Sequence, residues 1–370
     1  MKLAELNHQL HNRNIQRTRP MPTPAKLKKE FLMTLEMCLR VVSGREAVSD
    51  IITGKDSRFL IAGGPCSMHN AEEYLEYTRR SCELAGKVSD VILLVQRANP
   101  LKPRSEQNGW RGMATDHTMN GQRDLAASCR KVRQVMWEAV QMGALLATEI
   151  MDPNYYQYID DLPVFAWIGA DNCTSTRLRE VASGLSCPVG CKHPKQKGTT
   201  VSAIRALGFV SNSNTFLAQN DKGRFTEFTT HGNVGCVIHR GFELAPGKHE
   251  TNFDAESVRV TCEELEKQGL NPNILVDFSH SNAGKKCENQ RVVMASVRDQ
   301  ITSGNRRIVG GLWEAYLNVG KQSIPANSDE LKPGVSVTDE CDSWETFEEQ
   351  IIKTADFFRK LNRKTQLVVQ

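Results

Sequence analysis

Four side chains of metal-ligating type stand at well-marked places in this chain. Cys66 lies in Gly63-Gly64-Pro65-Cys66-Ser67, His280 ends Asp277-Phe278-Ser279-His280, Glu314 follows Trp313, and Asp339 follows Thr338. One thiolate, one imidazole and two carboxylates make a mixed donor set that suits Mn, Fe, Co or Zn better than Mg, which prefers oxygen alone. No pair among them has the short spacing of a zinc finger, and Cys66 taken alone reads as a buried structural cysteine. The metal reading therefore depends on a fold that brings the four together. A second set is cationic: Arg97, Lys102-Pro103-Arg104-Ser105, Lys192 and Arg240. Each alone reads as a solvated surface charge. Gathered in one pocket, like charges are costly unless an anion compensates them. They point to a substrate carrying phosphate or carboxylate, with arginine giving bidentate contacts and lysine a point charge.

The elements that must position these residues are apolar runs at 59–63, 91–95, 144–148, 164–168, 187–191, 236–239, 274–278 and 308–313. Each stops at a polar or small residue: the Cys66 turn, Arg97, Glu149, the Ala170-Asp171 pair, Lys192, Arg240, His280 and Glu314. Asp339 follows in a later loop. Eight strands that deliver chemistry at their carboxyl ends predict an α/β fold, a (β/α)8 TIM barrel whose site is built from those ends. Residues 1–57 are expected to form an N-terminal extension, an extended arm through Pro20-Met21-Pro22-Thr23-Pro24 followed by a helix. Over 24–52, Leu27, Phe31, Leu32, Leu35, Cys38, Leu39, Val42 and Val48 recur at helical spacing, with Thr23 as N-cap. Residues 58–370 are expected to be the barrel, closed by an amphipathic helix at about 343–363. The polar stretch 209–235, with Asn220-Asp221-Lys222-Gly223 as its turn, predicts an inserted β-hairpin beside the sixth strand.

Composition excludes several classes. A net charge of +4 over 370 residues is too small and too evenly spread to argue for nucleic acid, while a pI near 8.4 leaves room for a local cationic pocket. No apolar run approaches the ~20 residues that span a bilayer, and the first residues lack a signal-peptide core. Eleven irregularly spaced cysteines read as free thiols in a reducing compartment. The expectation is a cytoplasmic protein with no nucleic-acid or membrane partner.

Several motifs together resemble the type I 3-deoxy-D-arabino-heptulosonate 7-phosphate (DAHP) synthase family: Gly64-Pro65-Cys66-Ser67, Lys102-Pro103-Arg104, Ala182-Ser183-Gly184-Leu185-Ser186-Cys187-Pro188-Val189-Gly190, Asp277-Phe278-Ser279-His280 and Ser336-Val337-Thr338-Asp339. The similarity runs from about 57 to 345, with a weaker match in the N-terminal helix. It implies one divalent transition metal (Mn, Fe, Co or Zn) on Cys66, His280, Glu314 and Asp339. It also implies phosphoenolpyruvate held by Arg97, Lys102, Lys192 and Arg240, and a sugar-phosphate loop at Lys102, Pro103, Arg104 and Ser105. The family's reaction joins carbon three of phosphoenolpyruvate to the aldehyde of erythrose 4-phosphate, adds water at carbon two and releases phosphate. Lys102 would donate a proton to the developing alkoxide. Glu149 would position or deprotonate the water, or pair with one of the cations. The resemblance further implies a homodimer or homotetramer, phosphorylated small-molecule substrates, and an aromatic amino acid effector at a place matching Gln157 and Ser186. The acidic residues expected to hold that effector's amino group are missing from the N-terminus, and the extension reads equally as a cover for the barrel floor or an interface.

Departures gather at the substrate positions. Asp171 stands after Gly169-Ala170 where the family carries an arginine that holds the donor phosphate, a reversal worth about 1–4 kcal/mol at partly screened distances. Arg177 and Arg179 are the nearest candidates to replace it. Arg97-Ala98-Asn99-Pro100-Leu101 lacks the usual aromatic-acidic approach to Lys102, and Glu106 adds negative charge in Ser105-Glu106-Gln107-Asn108. Two further functions follow from these changes: a paralogue using a different donor or aldehyde, and a non-catalytic metabolite-binding regulator.

Overall fold

The computed structural model describes residues 10–103, 109–196, 200–325 and 327–369. Twelve strands run β1 (Phe59–Gly64), β2 (Ile92–Arg97), β3 (Leu146–Ile150), β4 (Pro163–Ile168), β5 (Val189–Lys192), β6 (Thr215–Gln219), β7 (Phe225–Thr229), β8 (Gly235–His239), β9 (Phe242–Ala245), β10 (Lys248–Glu250), β11 (Ile274–Asp277) and β12 (Ile308–Glu314). Eight of them close a barrel in the order β1-β12-β11-β8-β5-β4-β3-β2. Neighbours within it are parallel, so every barrel strand is covered by helices outside and side chains inside. This explains why β1, β2 and β4 are buried along their whole length and read as unbroken apolar runs. The sequence-expected (β/α)8 architecture is therefore the observed one, with strand ends within a few residues of the apolar runs.

The helices are α1 (Pro24–Glu30), α2 (Leu35–Thr53), α3 (Ala71–Val88), α4 (Leu125–Gln141), α5 (Thr176–Ser183), α6 (Val201–Val210), α7 (Ala255–Lys267), α8 (Gln290–Thr302) and α9 (Trp344–Val369). Helix α3 shows why they form. Asn70 accepts a hydrogen bond from the Glu73 backbone N–H as N-cap, acidic Glu72 and Glu73 sit in the first turn, and Tyr74, Tyr77, Ser81, Leu84 and Val88 make one buried face.

The single helix expected over 24–52 is two. Phe31 leaves helical geometry (φ −126°, ψ 72°), and Thr34 caps a second helix by accepting from the Met37 N–H. The carbonyls of Phe31 and Leu32 are taken instead by Arg133 and by the Trp137 indole, both on α4. The buried face of α2 is Met37, Val41, Gly44, Val48, Ile51 and Ile52. Leu35 and Leu39, two of the apolar residues that recur at helical spacing, are 76% and 58% exposed. Gly44 sets the approach: an added Cβ would lie 2.8 Å from both Leu145 and Val164 side-chain atoms.

The inserted hairpin is β6 paired antiparallel with β7. Its turn is held by Asn220, whose Oδ1 accepts from the Lys222 and Arg224 N–H groups, and by Gly223 at φ +76°. The extension lies on this hairpin through an Ala25 N–H to Asp221 carbonyl bond. A second small hairpin, β9 with β10, follows Arg240 and had no counterpart in the sequence reading. Nine of the eleven cysteines are buried free thiols. Among the described residues no helix is long and apolar enough to cross a membrane.

Candidate active site

The barrel brings the four metal-type residues to one mouth. In β1 the chain turns at Gly64 (φ +143°), where a Cβ would lie 3.2 Å from the Arg97 backbone nitrogen. The turn sends Cys66 inward, fully buried. Ligand atoms of Cys66, Glu314 and Asp339 all lie within 4.8 Å of one another. The Cys66 Sγ is 3.3 Å from Asp339 Oδ2, and His280 Nε2 is 3.8 Å from Glu314 Oε1. His280 adopts φ +53°, a left-handed conformation that a non-glycine residue holds only where its surroundings impose it.

Those surroundings centre on Asp277. Its Oδ2 lies 2.9 Å from His280 Nδ1 and 2.7 Å from Lys192 Nζ, while Oδ1 accepts from the Ser279 hydroxyl and backbone N–H. Burial would raise this carboxyl, but His280, Lys192 and Arg97 hold it well below the usual carboxylate range. With Nδ1 engaged, His280 presents Nε2 to the cluster, the arrangement that orients a metal-binding imidazole. Burial, then Glu314, pushes the Cys66 thiol up to about 12, with Lys102 acting in the opposite direction. Lys102 donates to the Cys66 sulfur at 3.0 Å and to its carbonyl at 3.2 Å. Burial would lower the Lys102 ammonium, yet Cys66, Asp339, Glu314 and Glu149 hold it up and protonated. A thiol, an imidazole and two carboxylates clustered beside buried cations form a donor set fitting a divalent transition ion.

The cations line the same mouth. Arg97 donates to Glu314 at 2.7 Å and lies 5.5 Å from the centroid of Trp167; Lys192 Nζ lies 5.7 Å from the same ring. Among the described residues, Nε and Nη1 of Arg97 and Nη2 of Arg240 are buried without a hydrogen-bond partner. Buried guanidinium N–H groups left open in this way call for an acceptor, an anion or an ordered water, and here three of them gather at one mouth. Trp167, which the sequence reading passed over, offers one aromatic ring to both Arg97 and Lys192, and its indole donates to Glu149 at 3.4 Å. Glu149 makes no ion pair among the described residues. Gly169 makes room for it, since a Cβ there would run into the Glu149 carboxylate. Asn99, one of the departures after β2, donates to the Cys66 carbonyl and accepts from the Glu149 N–H, tying the β1, β2 and β3 ends together.

Of the remaining expected substrate residues, Pro103 lies half-buried beside Lys102, and Ala170 forms the turn after β4. Arg104, Ser105 and Glu106 fall outside the described residues. Asp171 is exposed and pairs with Lys195 at 2.6 Å. Arg177 and Arg179 do not replace the missing arginine. Arg177 pairs with Glu180 and covers Phe216 of the hairpin, and Arg179 donates to the Cys173 and Ser202 carbonyls. Gln157 and Ser186 line a separate cavity of about 340 Å³ between barrel and hairpin, together with Phe216 and Phe228.

Known proteins resemble this chain over nearly its whole length. The chain is 40% identical over 337 residues to the Tyr-sensitive phospho-2-dehydro-3-deoxyheptonate aldolase of Escherichia coli, covering 91% of this chain and 92% of that one. It is 34% identical over 355 residues to the phenylalanine-inhibited enzyme of the same name from Saccharomyces cerevisiae, with 94% and 93% covered. The solved structure of phospho-2-dehydro-3-deoxyheptonate aldolase from Francisella tularensis superposes with a TM-score of 0.87 at 30% identity, covering 93% of this chain and 98% of that one. The model of the DAHP synthetase I family matches residues 26–352, and with the barrel and its mouth in view the chain belongs to that family.

Proposed function

We propose that this chain condenses phosphoenolpyruvate with erythrose 4-phosphate to give DAHP and phosphate, with one divalent transition metal held by Cys66, His280, Glu314 and Asp339. A metal bound there supplies Lewis-acid polarisation of a carbonyl oxygen. The observation that carries the reading is the convergence of that donor set with the open guanidinium N–H groups of Arg97 and Arg240 at one mouth. In this reading Arg97, Lys192 and Arg240 bind the anionic donor, and the Trp167 ring packs near the first two. Lys102 holds a proton at Nζ beside the cluster, placed to give it to an oxygen that gains charge. Glu149 accepts from Trp167 and faces the same space, where it orients the water. Phosphate release by the Mn-loaded full chain with both substrates tests the reading. Turnover with erythrose 4-phosphate ahead of other aldehydes is expected, and equal turnover with unrelated aldehydes would favour the altered-substrate paralogue instead. Asp171 motivates that second reading, and its pairing with Lys195 weakens it.

The cavity at Gln157, Ser186, Phe216 and Phe228 supports an aromatic amino acid effector, as the names of the relatives indicate for those proteins. Inhibition by at least one of tyrosine, phenylalanine or tryptophan is expected, and activity unchanged across millimolar amounts of all three would refute it. A homodimer or homotetramer in the cytoplasm completes the proposal.

A further inference from the structure

Lys195 lies in the loop after β5, three residues beyond Lys192. Its backbone is fixed. The Lys195 carbonyl accepts from the Glu243 N–H at 2.7 Å, and Gln196 bridges to Glu243. His193, in the same loop, accepts from the Arg240 backbone N–H at 3.2 Å through Nε2 and shares Nδ1 with the Pro194 carbonyl at 3.0 Å. The loop is thus tied to the strand end that delivers Arg240. From this tied loop the Lys195 side chain reaches the end of β4 and meets Asp171.

Two layers of charge result. Arg97, Lys192 and Arg240 form a buried layer, partly neutralised by Glu314 and Asp277. Above it, Asp171 and Lys195 form a rim pair whose side chains are 36% and 38% exposed. Asp171 follows β4 and Arg240 follows β8, the two strands that flank β5 in the barrel, so the β5 loop that carries Lys195 stands between the strand ends that deliver them. Alone, the Asp171 carboxylate would repel an anion arriving at the open Arg240 N–H. Lys195 cancels that repulsion and keeps two ammonium donors beyond the one that Asp171 takes.

We propose that Lys195 is the outer phosphate-binding residue of the donor subsite and that Asp171 holds it in place, so the cation missing after β4 is supplied from the β5 loop. The inference rests on the proposed function in placing the donor phosphate at Arg240. The test is phosphate release by the full Mn-loaded chain, varying each substrate at saturation of the other. Lys195→Ala leaves Asp171 uncompensated beside the phosphate, and KM for phosphoenolpyruvate is expected to rise about 10–100-fold with kcat changed by less than about threefold. Lys195→Arg should restore the wild-type KM, and Asp171→Asn combined with Lys195→Ala should recover much of the loss. An unchanged KM for phosphoenolpyruvate, or an equal rise for both substrates, overturns the inference while leaving the proposed function standing. If the wild-type chain shows no turnover, the proposed function falls, and calorimetric titration with inorganic phosphate decides the inference alone. Weaker binding by Lys195→Ala with recovery in Lys195→Arg then supports it, and equal binding by all three proteins overturns it.

Discussion

Cys66→Ala protein is expected to fold, to retain little or no Mn, Fe, Co or Zn after metal loading, and to lose phosphate release. The thiol is the only soft donor among the four, and it is fully buried 3.3 Å from Asp339 Oδ2. Removing it leaves three protein ligands, an imidazole and two carboxylates, where the proposed site has four, and takes away the one anionic sulfur donor. Loss of a partner that merely orients a ligand costs about 10–100-fold in metal affinity, so loss of the ligand itself should exceed that range. Elemental analysis of the loaded protein beside wild type checks the expectation, with circular dichroism to show an intact fold. Wild-type stoichiometry and turnover in the variant would mean that Cys66 is a structural thiol. The reading of the cluster would then have to be abandoned.

Lys192→Met should produce the second large effect, and on two observables at once. Lys192 and Asp277 form a buried pair at 2.7 Å, and Asp277 also holds His280. Breaking a buried pair by removing one partner costs about 3–5 kcal/mol. The lower end is expected, because His280 and Ser279 remain on the carboxylate. The Asp277 carboxyl sits below its unfolded value in the fold, so its stabilisation is present above the ordinary carboxyl pKa near 4 and is lost as pH falls. The stability difference between wild type and variant should accordingly be full at neutral pH and narrow toward acid. Lys192 also belongs to the proposed donor subsite, so KM for phosphoenolpyruvate should rise by at least about tenfold when that cation is removed. Urea unfolding across pH and steady-state kinetics measure the two effects. A destabilised variant with wild-type KM for phosphoenolpyruvate would show that Lys192 does not bind the donor.

Much of this protein was legible from residues alone. Parallel strands covered on both faces must be apolar throughout, so all eight barrel strands stood out as runs, and their polar terminators named Arg97, Glu149, Lys192, Arg240 and Glu314. The hairpin was legible from Asn220 to Gly223, where side-chain capping and a positive φ are local requirements. The break between α1 and α2 was not, because the groups that satisfy the Phe31 and Leu32 carbonyls come from Arg133 and Trp137, about a hundred residues away. The same distance in sequence hid which face of α2 packs, since Gly44 rather than Leu39 meets the barrel.

Asp171 shows the division most sharply. From residues alone came the presence of the four ligand types, the placing of three of them at or just after strand ends with Asp339 in a later loop, and the expectation of a carboxylate beside the donor. The sequence made Asp171 read as a repulsion, with Arg177 or Arg179 as the nearest remedy. Barrel closure was needed to show that Lys195 meets it, that Asp277 binds Lys192 and His280 together, and that Arg97 and Lys192 share the Trp167 ring. The physical reason is that strand formation follows from local apolar patterning, whereas a charge takes its partner from whatever barrel closure brings within about 3 Å.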